Sequence, residues 1–189
     1  MKQILAILFL LGSMSLMACA QGSKKKTMKT ASETHVLVAY FSATGTTAAV
    51  AEKLAQATGG KLYAIEPVQR YTAADLDWHN KKSRSSQEMD NPSVRPAMKG
   101  KADVSGCEVV FVGYPIWWGV APRIINTFLE NHDLKGKRII PFATSGGSGI
   151  GQSVKALRQA YPDLQWSDGR LLNRAGEEDV RRWVDSLGF

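Results

Sequence analysis

Val36-Leu37-Val38-Ala39-Tyr40-Phe41 runs into Ser42-Ala43-Thr44-Gly45-Thr46-Thr47, which opens into Ala48-Ala49-Val50-Ala51-Glu52-Lys53-Leu54. The first segment is a short run of β-branched, aromatic and small apolar residues, and it reads as a buried strand. The last is built from good helix formers. Between them lies a turn with four hydroxyls and one glycine. Backbone N–H groups in such a turn converge on a small concavity, and the helix N-terminus adds its positive dipole end. The turn holds no Lys or Arg, so it would cradle a phosphate monoester with neutral donors alone. The Gly-Lys-Ser/Thr ending of a Walker loop is missing, and a lone Gly45 does not make the three-glycine dinucleotide fingerprint. An ordinary N-capped strand-to-helix turn is the plainer alternative for this segment taken alone.

Two more apolar runs end in loops of distinct chemistry. Val109-Val110-Phe111-Val112-Gly113-Tyr114 precedes Pro115-Ile116-Trp117-Trp118-Gly119. Arg138-Ile139-Ile140-Pro141-Phe142-Ala143 precedes Thr144-Ser145-Gly146-Gly147-Ser148-Gly149. In an open parallel α/β sheet all three loops emerge at the carboxyl edge, where ligands bind. One loop offers hydroxyls, one offers two indoles and one is nearly bare backbone. A phosphorylated aromatic ligand needs all three.

With these segments the sequence resembles the flavodoxins, over about residues 34–189. Ser42 to Thr47 looks like their phosphate loop, and the Trp-Trp-Gly and Gly-rich segments fall where they place the loops flanking the flavin. Short secreted flavodoxin-like lipoproteins are the nearest subgroup. The resemblance implies FMN as cofactor, bound by Ser42, Ala43, Thr44, Gly45, Thr46, Thr47, by Pro115, Ile116, Trp117, Trp118, Gly119, and by Thr144, Ser145, Gly146, Gly147, Ser148, Gly149. It also implies a doubly wound, five-stranded parallel sheet in the order 2-1-3-4-5, with FMN at the switch point. Trp118-Gly119 is the candidate for the peptide that turns toward the reduced flavin N5–H in this family. Adjacent residues rarely face the same way, so one Trp is expected on the flavin and the other packed elsewhere.

The rest of the pattern agrees with alternating strands and helices, hence right-handed crossovers. A first helix spans about Thr46 to Ala57 and stops at Gly59-Gly60. Lys61 to Glu66 alternates as a second strand. A third helix starts near Pro122 with Ile124, Ile125, Phe128 and Leu129 on one stripe. A fourth covers about Gly151 to Ala160, with Val154 and Leu157 inward. Leu164 to Leu172 reads as a fifth strand with a break near Asp168-Gly169. Glu177 to Leu187 is the last helix, its Val180, Trp183, Val184 and Leu187 facing the sheet. Val68 to Gly106 is a long excursion between the second and third strands. Segments of this length are covers or binding loops more often than connectors. Thr72 to Trp78 reads as a short capped helix, and Ser83 to Met89 as coil or short helix. His79, Arg84 and Arg95 are the candidates for substrate contacts; the alternatives are a solvated His79 and two arginines that pin the excursion by ion pairs. His35 and His132 read as structural.

Met1 to Ala18 has the features of a signal peptide: a basic Lys2, an apolar stretch from Ile4 to Leu11 and a lipobox-like Leu16-Met17-Ala18-Cys19. That stretch is too short to span a bilayer. Lipidation of Cys19 would anchor the chain in the bacterial envelope with its domain outside the cytoplasm, and residues 19–33 would form a basic tether able to meet anionic head groups. Ordinary secretion is the alternative. The net charge of +7 is concentrated there: five lysines precede Glu33, leaving 19 basic and 17 acidic residues in the remainder. That balance gives no ground for a nucleic-acid partner. Cys107 reads as a small buried residue, and no Cys/His pattern has metal spacing.

The Gly-rich loop lacks the stacking aromatic and the acids that electron-carrying flavodoxins often place beside the ring. A carboxylate about 6 Å from the flavin N1 opposes its negative charge by roughly 2–3 kcal/mol at an effective dielectric near 20. Without it the fully reduced flavin forms more easily. This favours an oxidoreductase working in two-electron, quinone-type steps, with an unidentified electron donor and acceptor, over a low-potential one-electron carrier. A non-catalytic flavin-binding or interaction lipoprotein is the alternative. Ala143 to Gly147 imitates a nucleophile elbow, but no histidine follows Ser145, so the Ser…Asp…His order of that fold cannot be met.

Overall fold

The computed structural model describes residues 35–188. The expected signal peptide, Cys19 and the tether lie outside them. Strands alternate with helices through β1 (Val36–Tyr40), α1 (Thr46–Thr58), β2 (Lys61–Ala64), α2 (Arg84–Asp90), β3 (Val109–Pro115), α3 (Arg123–Asn131), β4 (Arg138–Thr144), α4 (Gly151–Ala160), β5 (Gln165–Trp166), β6 (Arg170–Leu171) and α5 (Glu177–Ser186). The sheet is parallel with the order β2-β1-β3-β4-β5, and β6 also pairs with β4.

Strand alternation sorts the core into two layers. Val36 and Val38 point to one face of the sheet, where Val50, Ala51 and Leu54 of α1 meet Val180, Trp183 and Val184 of α5. Leu37, Ala39 and Phe41 point to the other, against Ile124, Ile125, Phe128 and Leu129 of α3 and Leu157 of α4. Period 2 in the strands and the 3.6-residue stripe in the helices are thus satisfied together. Each fully buried aliphatic or Phe side chain contributes about 1.5–3 kcal/mol.

The expected fifth strand is present as two short pieces. From Ile139 to Phe142 β4 advances three residues, whereas their partners Trp166 and Arg170 lie four apart. The additional residue makes a bulge. Its cause is Pro141. Carbonyls of Ile139 and Ala143 accept from Ser167 and Leu172 on this edge, at 2.8 Å each. Alternate residues point the same way, so Pro141 faces this edge with no N–H to give. Gly169 fits the bulge because a Cβ there would lie 2.9 Å from Ile150 Cδ1 and 3.0 Å from the Pro141 carbonyl.

The excursion is closed at its neck by an antiparallel bridge between Pro67 and Met98. Thr72 to Trp78 forms turns and not the expected helix: Thr72 and Asp75 make the expected cap, with Asp75 accepting from the Thr72 N–H at 2.8 Å, but after the Leu76 N–H the bonds run to the third residue back, as from Asp77 to the Ala74 carbonyl at 3.4 Å. Helix α2 begins at Arg84, N-capped by Ser83. His132 is structural: its Nε2 accepts from the Ala102 N–H at 2.9 Å, which puts the ring proton on Nδ1, facing the Phe128 carbonyl at 2.7 Å.

Candidate functional site

The first, third and fourth strands deliver their loops to one cleft of about 990 Å³ at the carboxyl edge of the sheet. That is at the upper end of the usual range for small-molecule sites.

At one end is the turn into α1. Gly45 is its N-cap, with φ +91°, a conformation that costs an L-residue about 1–2 kcal/mol. Having no side chain, it leaves the helix start uncapped. The first intrahelical bond runs from the Ala49 N–H to the Gly45 carbonyl at 3.1 Å. The N–H groups of Thr46, Thr47 and Ala48 therefore have no intrahelical acceptor. The four hydroxyls of the turn divide into two pairs. Ser42 Oγ accepts from the Gly45 N–H at 3.1 Å and shapes the turn. Thr47 is buried and meets Thr144 Oγ1 at 2.8 Å, tying the first loop to the end of β4. Thr44 and Thr46 are exposed and line the cleft.

At the other end stand the tryptophans. Trp117 and Val120 exchange two backbone hydrogen bonds of 3.0 Å around Trp118 and Gly119. The central residues have φ +48° and +80°, as in a type I′ turn. A positive φ is rare for a bulky residue such as Trp118. Trp117 is packed edge-on against Phe41 and Tyr71, with centroids 5.5 and 5.3 Å away. Trp118 is 50% exposed. One indole is thus packed and the other open, and both line the cleft along with Pro115 and Ile116.

The Gly-rich loop forms the facing wall. Ser145 Oγ accepts from the N–H groups of Gly147 and Ser148, at 3.1 and 2.8 Å. Asn173 clamps the loop by accepting from the Ser145 N–H and donating to its carbonyl, both at 2.8 Å. Of the residues expected here, Ala43, Thr144, Ser145, Gly146, Gly147 and Ser148 also line the cleft, whereas Ser42, Gly45, Gly119 and Gly149 do not. Ser42 and Gly45 border a smaller neighbouring cavity of about 270 Å³. Gly119 supports its turn beside Gln152.

Leu76, Trp78, Ser85, Asn173 and Arg174 also line the cleft, and sequence reasoning missed them. The last two lie just beyond the end of β6, and the rule that ligands gather beyond the carboxyl ends of strands would have flagged them. Among the described residues, no Asp or Glu lines the cleft. Asp168 is held by Arg158 at 2.9 Å.

The excursion reaches the site through packing. Arg84 Nε donates to Glu88 at 2.7 Å, and its guanidinium lies 4.1 Å from the Tyr71 ring centroid. Tyr71 donates to the other Glu88 oxygen. Burial, then this bond, hold the Tyr71 phenol far above its ordinary pKa, so it stays a proton donor. Arg95 is paired to Glu130 at 2.8 Å. Both arginines therefore pin the excursion, and neither lines the cleft. His79 is exposed and stacks on Trp78 with centroids 3.5 Å apart.

The family model for flavodoxin matches residues 35–187. A structure from Bacteroides eggerthii, provisionally assigned as a flavoprotein, is 61% identical, with a TM-score of 0.80 over 82% of this chain and 98% of that one. A second provisionally assigned flavoprotein, from Bacteroides uniformis, is 52% identical, with a TM-score of 0.79 over 80% of this chain and 97% of the other. A Lactobacillus acidophilus flavoprotein solved with FMN shares the fold at 18% identity, with a TM-score of 0.63 over 80% of this chain and 99% of that one. No match was found among curated proteins. The chain belongs to the flavodoxin family.

Proposed function

We propose that the chain binds FMN and is an oxidoreductase that passes electrons in pairs to a quinone-type acceptor, held at the bacterial envelope through lipid on Cys19. One observation carries the cofactor reading. A glycine-capped helix start with unengaged N–H donors and two open hydroxyls lies at one end of a cleft whose other walls are two indoles and a bare Gly-rich loop. That donor set suits a phosphate dianion joined to a flat aromatic ring. FMN, when bound, supplies transfer of one or two electrons at its ring. The chain's part is to fix the two ends. Thr44, Thr46 and the helix start would hold the phosphate, Trp118 would cover the ring, and the Asn173 clamp would keep the Ser145 loop against it.

The lining supports paired electron transfer, because it holds no Asp or Glu among the described residues and Arg174 adds a positive charge. The expected result of a reductive titration of the FMN-loaded protein is two one-electron potentials lying close together. Ser148→Asp places a carboxylate on the facing wall and should lower the second potential by on the order of 100 mV. Widely separated wild-type potentials, unchanged by Ser148→Asp, would return the protein to one-electron carriers.

The envelope reading has its own test. Cys19→Ala is expected to move the protein from the membrane to the soluble fraction of cells without altering its flavin spectrum. A variant that stays with the membrane contradicts lipid anchoring at Cys19.

A further inference from the structure

The cleft has a wall that the three cofactor loops do not supply. Trp78 comes from the excursion and lines the cleft while remaining 66% exposed. The segment that carries it is tied down at several points. His79 stacks on it at 3.5 Å, and the His79 N–H donates to Asp77 at 3.1 Å. The Ser85 N–H donates to the Asp75 carbonyl at 3.0 Å, while Ser86 Oγ donates to the Asn80 carbonyl at 2.8 Å. Arg123 holds the carbonyls of Glu88 and Met89 at 3.2 and 2.8 Å. A large indole two-thirds in water, with one face already covered by an imidazole, is a surface suited to stacking.

A second residue in the same cleft carries charge. Arg174 has φ +51°, a strained conformation for a non-glycine residue. Its guanidinium has no ion-pair or hydrogen-bond partner among the described residues. Asp75 accepts from Thr72 and Asp77 from the His79 N–H, and neither carboxylate lines the cleft. Backbone strain is retained where the surroundings impose it, and such positions cluster at ligand sites. An unpaired guanidinium in an acid-free cleft selects for negative charge.

We infer that the oxidised substrate is a planar aromatic anion, its ring stacked on Trp78 and its acidic substituent drawn to Arg174. The inference rests on the FMN reading and adds the substrate's charge and the residues that read it. Trp78 and Arg174 serve as positioning residues, outside the loops assigned to the cofactor.

The test is equilibrium binding to the FMN-loaded full chain with no electron donor present, followed by the flavin absorbance. The probes are 1,4-naphthoquinone-2-sulfonate and its neutral 2-methyl counterpart. The sulfonate is expected to bind about fivefold or more tightly than the neutral quinone, the effect of one partly exposed ion pair. Arg174→Gln should erase that preference and leave the neutral quinone unaffected, and Arg174→Lys should restore part of it. Trp78→Ala should weaken both probes by about tenfold. Equal wild-type affinities, or equal losses for both probes in Arg174→Gln, would overturn the inference. So would a loss of FMN affinity in Arg174→Gln, which would assign that cation to the cofactor. Failure of the wild type to take up FMN would instead defeat the reading of the site itself.

Discussion

Gly113→Ala is expected to lower stability by about 3 kcal/mol or more, beyond the usual cost of overpacking a core. Gly113 lies in the middle of β3, in register with Phe142 of β4. A Cβ at Gly113 would sit 2.0 Å from Phe142 Cζ and within 2.6 Å of two further ring atoms. Phe142 is fully buried, so the ring has no solvent to retreat into. The backbone cannot yield easily either, because the Gly113 carbonyl accepts from the Phe41 N–H at 2.9 Å. Urea unfolding of wild type, both single variants and the Gly113→Ala/Phe142→Leu double variant measures the effect. The double variant should be less destabilised than the sum of the singles, because Leu removes part of the ring that the new methyl meets. Strict additivity would mean that the two residues do not compete for one space.

The second large effect concerns the turn into α1. Thr44→Val and Thr46→Val should each weaken FMN binding by about tenfold or more, the size of one hydrogen bond to a charged acceptor. Riboflavin binding should hardly change, because riboflavin lacks the phosphate that these hydroxyls meet. Thr47→Val serves as the contrast. Thr47 is buried against Thr144, so its loss should appear in the unfolding curve as well as in affinity. Parallel titrations of the two flavins against each variant measure this. A uniform loss for both flavins would place the phosphate elsewhere.

The three loops were legible because each directly follows a long apolar run, and parallel strands bring such ends to one edge. The core stripes of α3 and α5 were legible for the same local reason. What was hidden depends on contacts between residues distant in sequence. Nothing near Thr47 signals that its hydroxyl belongs to Thr144, 97 residues away. Trp78 reaches the cleft from an excursion pinned by contacts among Tyr71, Arg84 and Glu88, and Arg84 could equally have been read as a substrate-binding charge. The Thr72–Trp78 turns share with a helix the Thr72–Asp75 cap that the sequence shows, and differ only in the bonds that follow it. The bulge in the fifth strand was foreshadowed by Gly169, but its cause, Pro141, lies on the neighbouring strand.

The central claim is that the chain holds FMN by its phosphate at the start of α1. Side-by-side titration of the wild-type protein with FMN and riboflavin tests it most directly. Several donors converge on the phosphate, so FMN is expected to bind about a hundredfold or more tightly, equivalent to about 2.8 kcal/mol. Equal affinities for the two flavins would contradict the account.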